Sequence, residues 1–510
     1  MSRLTRISLL LATFFAFDKG AALLRQVVIA RQFGLSSDLD AFNVANNIPD
    51  MLYALISGGA LAIAFIPILS EVLTQKGRES AWDLFSNIAN LAFLVTAALS
   101  VIIALIAEDI VRWELGVAPG FNAEQQTLVV NLMRLNLIAT LIFSISGLVM
   151  AGLQANQHFL LPATAPLLYN IGQIFGAVFF SPENGYQIGN VTLPAFGLGA
   201  YGLLYGVLLG ASLHLLIQIP GLVLFKYRWK PVLHLFNPDV KKVLRLMGPR
   251  LVTMSFIQLT FLVRDNLASR LETGAVTALT YGWMIMQVPE TLIGTAVGTA
   301  LLPTLGEMFA QKDMERLRQT LENASRILLS ISIPVAAVLA IGLEPLTGFL
   351  FRFGTEGTIL TMWVTRGFLL GLMGHCLMEV MARSFYAQQD AVVPMITGGI
   401  NLTLYIILGN VLFRPLGAAG ISLTDSIVIS IQAFLLLLIL NWRKKLSVRP
   451  LSGLFRGVIA GLVAGGVTWL ISSFHQPGWV GLVISFSSLI IGGISAIPLI
   501  LPELRLLRKL

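Results

Sequence analysis

The strongest constraint on this chain is the recurrence of apolar runs about 20 residues long, the length one helix needs to cross a bilayer. Fourteen can be marked, centred near residues 16, 55, 94, 140, 171, 212, 256, 294, 329, 372, 402, 428, 463 and 490, with short loops between them. No large soluble domain fits into those loops. Of the 510 residues 56% are hydrophobic and only 12% charged, with a mean hydropathy of +0.81, so the chain lacks the polar residues to cover a globule in water. The expected fold is an all-α integral membrane protein with fourteen transmembrane helices. The opening Met-Ser-Arg-Leu-Thr-Arg has the charge of a signal-peptide start. However, the apolar stretch behind it runs into Asp18 and Lys19 with no small-residue cleavage pattern, so it reads as a retained first helix.

Short cytoplasmic loops retain Lys and Arg, and here the positive residues alternate. Arg3 and Arg6 precede the first run, Lys76 and Arg78 follow the second, and Lys226, Arg228, Lys230, Lys241 and Lys242 follow the sixth. Lys312, Arg316 and Arg318 follow the eighth, Arg443, Lys444, Lys445 and Arg449 the twelfth, and Arg505, Arg508 and Lys509 close the chain. Of the intervening loops, "AEDIVRWELGVAPGFNAE" is net acidic, and "SPENGYQIGNVTLP" and "SFHQPG" hold no Lys or Arg. Both termini are therefore expected in the cytoplasm. The net charge of +8 is read as a topology signal, and no nucleic-acid partner is expected because no soluble domain could present one. A single cysteine, Cys376, rules out a disulfide framework and a cysteine-based metal cluster.

The chain also repeats itself. "IPDMLYALISGGALAIAFIPILSEVLTQK" at 48–76 is echoed by "VPETLIGTAVGTALLPTLGEMFAQK" at 288–312, matching Pro49 to Pro289, Pro67 to Pro303, Glu71 to Glu307 and Gln75-Lys76 to Gln311-Lys312. "LQANQHFLLP" at 153–162 is echoed by "FYAQQDAVVP" at 385–394, and "LGAYG" at 198–202 by "LGAAG" at 416–420. The spacing corresponds to six spans, an even number, so both copies enter the membrane in the same direction as parallel repeats. Two six-helix lobes around a central cavity are expected, residues 1–225 and 238–440, with a basic cytoplasmic linker at 226–242 and two appended helices in 441–510. Such duplication is common in secondary transporters.

Ionisable residues inside the runs mark the candidate site, since they almost always face a bundle interior or an aqueous cavity. In "FFAFDKGAALLRQVVIARQFG", Asp18, Ala22 and Arg25 share one helical stripe, Lys19 points partly away, and Arg31 lies near the outer end. The stripe is either a structural ion pair or a cationic lining for an anionic headgroup, because Arg offers planar bidentate donors to phosphate and Lys a point charge. His375, Glu379 and Arg383 follow i, i+4, i+8 on one face, as a structural or relay stripe in which Glu379 and Arg383 can pair. Asp265, Asn401, Thr424 and Asp425 supply oxygens of the kind a Na+ site uses, or that bond between helices. With no Walker loop, HExxH or Gly-x-Ser-x-Gly motif the chain is not expected to be an enzyme, and no cofactor is expected beyond Na+ or membrane-potential coupling.

"ALLRQVVIARQFG", "DAFNVANNIPDML", "GGALAIAFIPILSE" and "LASRLETGAVTALTYGWMIMQVPETLIGTAVGTALLPTLGEMFA" resemble MurJ/MviN proteins, the lipid II flippases of the MOP exporter superfamily, over nearly the whole chain. The resemblance implies a flippase for a lipid-linked peptidoglycan precursor, with a groove for the polyprenyl tail beside the two appended helices. It also implies basic residues of helices one, two and eight on the diphosphate headgroup. Lys19 and Arg25 match the two basic positions of helix one, and Asp40 the acidic position before "AF". The helix-two arginine is replaced by Tyr53-Ala54, the helix-eight arginine by Met284, and the acidic position one turn later by Gln287. Arg264, in the reversed order Arg264-Asp265, is expected to stand in for one lost arginine. The expected partners are lipid II and membrane lipids, the protein acting as a monomer. Alternatives are a flippase for another polyprenyl-linked oligosaccharide, a MATE-like cation-coupled exporter, and a non-transporting membrane scaffold.

Overall fold

A computed structural model describes residues 3–58, 60–444, 446–474 and 478–506. Lys445, residues 475–477 of the "SFHQPG" loop, and Arg508 and Lys509, all used for topology above, lie outside the described residues. The chain forms two compact units, Met1–Thr273 and Gly274–Leu510.

The first unit contains α1 (Arg3–Phe33), α2 (Ser37–Tyr53), α3 (Ala60–Gln75), α4 (Gly77–Leu105), α5 (Ala107–Arg112), α6 (Ala123–Ala155), α7 (Leu160–Phe175), α8 (Gly199–Leu216), α9 (Ile219–Leu224) and α10 (Pro238–Ala268). A two-residue hairpin, β1 (Gln187–Ile188) with β2 (Val191–Thr192), lies between α7 and α8. Its core gathers Phe65 of α3, Trp82 and Phe85 of α4, Leu148 and Leu153 of α6. The Trp82, Phe85 and Tyr227 rings meet at 5.0–5.6 Å in edge-on pairs.

Helix α10 was expected to open the second lobe at residue 238, yet it packs within the first unit, mainly on α3. Ion pairs accompany that packing at both of its ends. Asp239 meets Lys76 at 2.6 Å and Lys242 meets Glu71 at 2.6 Å, while past the other end Arg270 meets Glu114 at 2.5 Å.

The second unit contains α11 (Ala275–Glu290), α12 (Ala296–Ala310), α13 (Met314–Gly342), α14 (Glu344–Phe351), α15 (Gly354–Leu369), α16 (Leu372–Ala387), α17 (Val392–Lys444), α18 (Leu451–Ser472) and α19 (Trp479–Leu504). At 53 residues α17 far exceeds one crossing, and it is two helices joined at Gly417. Among the described residues nine helices are long and apolar enough to cross a membrane, or up to eleven if α10 and the α15–α16 pair each count as one bent span. The fourteen runs of the sequence also include α1 and the α2–α3 segment and divide α17 in two.

The internal repeat is written in backbone conformation as well as in residues. Gln157 and Gln389, at matched positions, both take left-handed φ values of 56° and 60°. In each copy the next amide closes the helix end, His158 N–H donating to the Leu153 carbonyl and Asp390 N–H to the Phe385 carbonyl, both at 2.9 Å. Gly199 and Gly417, also matched, have φ of 53° and 57°, a conformation glycine adopts without steric cost. After Pro49 and Pro289 each copy carries one wide π-turn, Ala54–Gly58 and Thr291–Thr295.

The two appended helices form the tightest helix packing in the second unit, α18 against both α13 and α19. Gly453, Gly457 and Gly461 line the α18 face toward α13, and a Cβ on Gly457 would stand 2.6 Å from the Leu329 carbonyl oxygen. Such small residues let membrane helices approach closely. Glu503 of α19, fully buried, ties the three helices together by accepting from Arg326 at 2.9 and 3.1 Å and from Arg456 at 3.0 Å.

Replacing Glu503 by Gln leaves two arginines facing a neutral group. Because both arginines are partly exposed, the expected loss lies at the low end of the range for breaking a buried pair, about 3 kcal/mol, read as a lowered thermal midpoint of the purified protein. At the exposed start of α13, Arg318 holds the Glu315 carboxyl down at about 2, with Gln319 assisting. The depressed value means that this contribution is present above the ordinary carboxylate range and is lost as pH falls from there toward 2. Hydrogen exchange at the first turn of α13 should therefore speed up over that acid window and not between neutral pH and pH 5.

Candidate functional site

Helix α1 packs lengthwise against α7. Asp18 and Arg25 are half-buried on the expected stripe, and Lys19 and Gly20 are exposed beside it. Asp18 Oδ1 accepts from Asn170 Nδ2 of α7 at 2.8 Å, so its charge is spent on orienting that neighbour. Arg25 differs: its Nε is buried and makes no hydrogen bond among the described residues. The guanidinium lies in the electrostatic field of Asp50 of α2 and near the Tyr169 phenol of α7. Rings extend this neighbourhood, with Tyr53 5.2 Å from Phe143 and Phe143 5.1 Å from Tyr169. Tyr53 thus stands among aromatic rings in the neighbourhood of Arg25.

Asp50 and Tyr169 were not singled out from the sequence. Asp50 carried a readable signal, a carboxylate directly after the repeat landmark Pro49 in an apolar run. Tyr169 carried none, since an aromatic residue in a span is ordinary.

The remaining first-unit candidates sit elsewhere. Asp40 is 1% exposed in the first turn of α2, whose cap is Ser36 accepting from Leu39 N–H. A carboxylate there is favoured by the helix dipole. Arg264 is buried and pairs with Asp265 at 2.9 Å, its guanidinium lying 5.0 Å from the Phe261 ring centre. Asp265 also accepts from Asn47 Nδ2 of α2. Arg264 therefore has its charge matched within one turn of its own helix, whereas Arg25 does not.

In the second unit His375 Nε2 meets Asp425 Oδ2 at 2.9 Å, and its ring packs edge-on to Trp283 at 5.4 Å. Glu379 and Arg383 form the expected i, i+4 pair. Arg383 occupies the space that a side chain on Gly298 of α12 would need, so that glycine is required by the charge it admits. The oxygens considered for Na+ take separate partners. Asn401 donates to Gln432 at 2.8 Å, the Thr424 hydroxyl donates to the Gly420 carbonyl at 2.8 Å, Asp425 faces His375, and Asp265 is held by Arg264 and Asn47. No group of three or more His, Cys, Asp or Glu suited to a metal occurs among the described residues. Met284 is half-buried and Gln287 exposed on α11.

A predominantly helical chain of two units that share repeat landmarks, with ionisable side chains held inside its apolar helices, defines a polytopic membrane protein of transporter architecture. Its fold is similar to that of a lipid II flippase MurJ in an inward closed conformation, with TM-score 0.79 and 23% identity, covering 95% of this chain and 98% of that one. It is also similar to an inward-facing MATE multidrug transporter of the MOP superfamily, with TM-score 0.67 and 16% identity, covering 84% of this chain and 94% of that one. At these identities the likeness concerns fold alone. In sequence, the family model described as lipid II flippase MurJ matches residues 29–490. The lipid II flippase MurJ of Burkholderia cenocepacia is 31% identical over 490 residues, 93% of this chain and 92% of that one. The probable lipid II flippase MurJ of Buchnera aphidicola is 27% identical, covering 83% and 81%. The chain belongs to the lipid II flippase MurJ family.

The Arg264–Asp265 pair gives a direct test of structural against ligand-binding use. Asp265→Asn leaves a buried guanidinium uncompensated and should cost about 3 kcal/mol. The double replacement of Arg264 and Asp265 by Leu should recover much of that loss, both read as thermal midpoints in detergent. No recovery in the double variant would contradict a mainly structural pair.

Proposed function

We propose that this protein is a flippase that moves lipid II, a polyprenyl-diphosphate-linked peptidoglycan precursor, from the inner to the outer leaflet of the bacterial cytoplasmic membrane. Family membership supports the substrate class. The observation that carries the assignment to a site is the Arg25 guanidinium, held half-buried in the apolar interior with an unsatisfied Nε. A diphosphate supplies what this group lacks, several acceptor oxygens in the fork geometry a guanidinium matches. Exposed Lys19, about one and two-thirds turns before Arg25 on α1, adds a mobile point charge. Asp50 lies within electrostatic range of Arg25, and an entering diphosphate would add the full negative charge that a guanidinium in a low-dielectric setting seeks.

The lipid tail would remain in the bilayer while the headgroup passes through the polar interior by alternating access. No nucleotide-binding loop is present in the sequence, so the energy would come from the membrane potential or a Na+ gradient, with both termini cytoplasmic and the protein acting as a monomer. A second reading, another polyprenyl-linked oligosaccharide as substrate, is favoured by Tyr53 and Met284, which place a phenol and a thioether where the resemblance leads one to expect arginines. Complementation of cells depleted of their own lipid II flippase separates the two.

Binding of the purified protein to lipid II, undecaprenyl phosphate and an unrelated lipid-linked glycan should show preference for lipid II. Lys19→Ala and Arg25→Ala should weaken it, Arg25→Ala by roughly tenfold to a hundredfold, the worth of a charge-assisted hydrogen bond. Equal binding of all three lipids, or indifference to both substitutions, would reject the proposal.

A further inference from the structure

The segment joining α9 to α10 has little regular structure of its own, yet it is held along one face of α4. Its backbone supplies most of the bonds. Trp82 Nε1 donates to the Phe225 carbonyl at 3.2 Å, and Asn90 Nδ2 donates to the carbonyls of Lys230 and Val232 at 2.7 and 3.0 Å. Asn87 clasps His234 in both directions, donating to its carbonyl at 3.2 Å and accepting from its N–H at 2.9 Å. Lys230 is pinned by Asp83 at 2.6 Å. These α4 residues follow one another at helical spacing, so one stripe of α4 serves as the bed for a strap of about a dozen residues.

With its backbone engaged inward, the strap displays a particular set of side chains outward. Trp229 is 63% exposed and Phe236 84%, with Leu233 and Leu235 also exposed. The Trp229 indole N–H donates to Asn90 Oδ1 at 2.8 Å, which fixes the ring while leaving it uncovered. Lys226, Arg228 and Lys241 are exposed among these apolar groups, and Lys241 Nζ stands 5.1 Å from the Phe236 ring centre. Asp239 is the single acidic residue between 225 and 245, and it is already paired with Lys76. The outward face is therefore both apolar and positively charged.

We infer that this strap is an interfacial anchor that docks on anionic lipid headgroups, Trp229, Leu233 and Phe236 entering the headgroup boundary while Lys226, Arg228 and Lys241 pair with lipid phosphates. It joins helices of the membrane-crossing part of the chain, so its side chains lie at the level of one bilayer surface. Indole and phenyl rings beside Lys and Arg match the amphipathic character of that boundary, and basic residues next to a membrane are drawn to anionic lipid. A peptide partner is disfavoured because the strap's main-chain groups are already used against α4, leaving no free edge for strand addition.

The test uses the full chain in vesicles of phosphatidylcholine alone and of phosphatidylcholine with about one-third phosphatidylglycerol, the anionic component the basic residues would recognise. A spin label on Phe236→Cys, in a Cys376→Ala background, should be more accessible to lipid-soluble oxygen than to a water-soluble nickel chelate. That preference should increase with phosphatidylglycerol. Changing Lys226, Arg228 and Lys241 to Gln should abolish the increase. In parallel, the unlabelled wild type should unfold at a higher temperature in the anionic vesicles, and the triple variant should lose the difference. This second measurement stands even if the labelled chain does not fold. A label open to the nickel chelate in both vesicles, or a wild-type midpoint indifferent to phosphatidylglycerol, would overturn the inference.

Discussion

An ionisable side chain at the centre of a membrane helix costs roughly 2.5 to 3.5 kcal/mol on insertion scales, and the arrangement of charge in this protein follows from that cost. Most such groups are matched close by. Arg264 meets Asp265 one residue away, Arg383 meets Glu379 one turn away, and His375 meets Asp425 across two helices. Even the buried Glu503 is bracketed by two arginines. Arg25 is half-buried with its Nε unsatisfied and a carboxyl group within electrostatic range, and the Nε of Arg250 in α10 is likewise unsatisfied. A binding site for an anion in a bilayer needs such an imbalance, because a charge already paired has little to gain from a ligand.

The same logic separates Arg264 from the role suggested by its depth in the sequence. Burial and an immediate acidic neighbour make it a coupling element between α10 and α2, through Asp265 and Asn47. Tyr53-Ala54 stands where the resemblance leads one to expect a helix-two arginine, and the Tyr53 phenol lies among rings. The cationic character of the proposed headgroup site thus falls more heavily on helix α1 than the family resemblance leads one to expect.

Helical architecture followed from composition because a chain this apolar must satisfy its backbone hydrogen bonds within itself, and helices do so locally. The repeat was legible for a similar reason. Its landmarks are residues whose backbone geometry is particular, and they recur as matching left-handed turns at Gln157 and Gln389 and at Gly199 and Gly417. Local pairings were legible too, as with Glu379 and Arg383 at i, i+4. The candidate Arg25 site was visible as a charge in an apolar run, though its surroundings were not.

Partners distant in the sequence were decided by tertiary packing. Helix α10 packs on α3, where Asp239 and Lys242 meet Lys76 and Glu71 at the end of α3 and Arg270 beyond α10 meets Glu114, and no local pattern encodes those pairings. The Na+-type oxygens looked alike in the sequence, yet each takes a separate partner, such as Gln432 for Asn401. Asp18 and Asn170, 152 residues apart, meet because α1 and α7 pack together. The sequence by itself determined which groups the membrane would force to seek partners, since that depends on hydropathy and spacing. Only the tertiary structure decided which partners they took, because that depends on contacts between helices far apart in the chain.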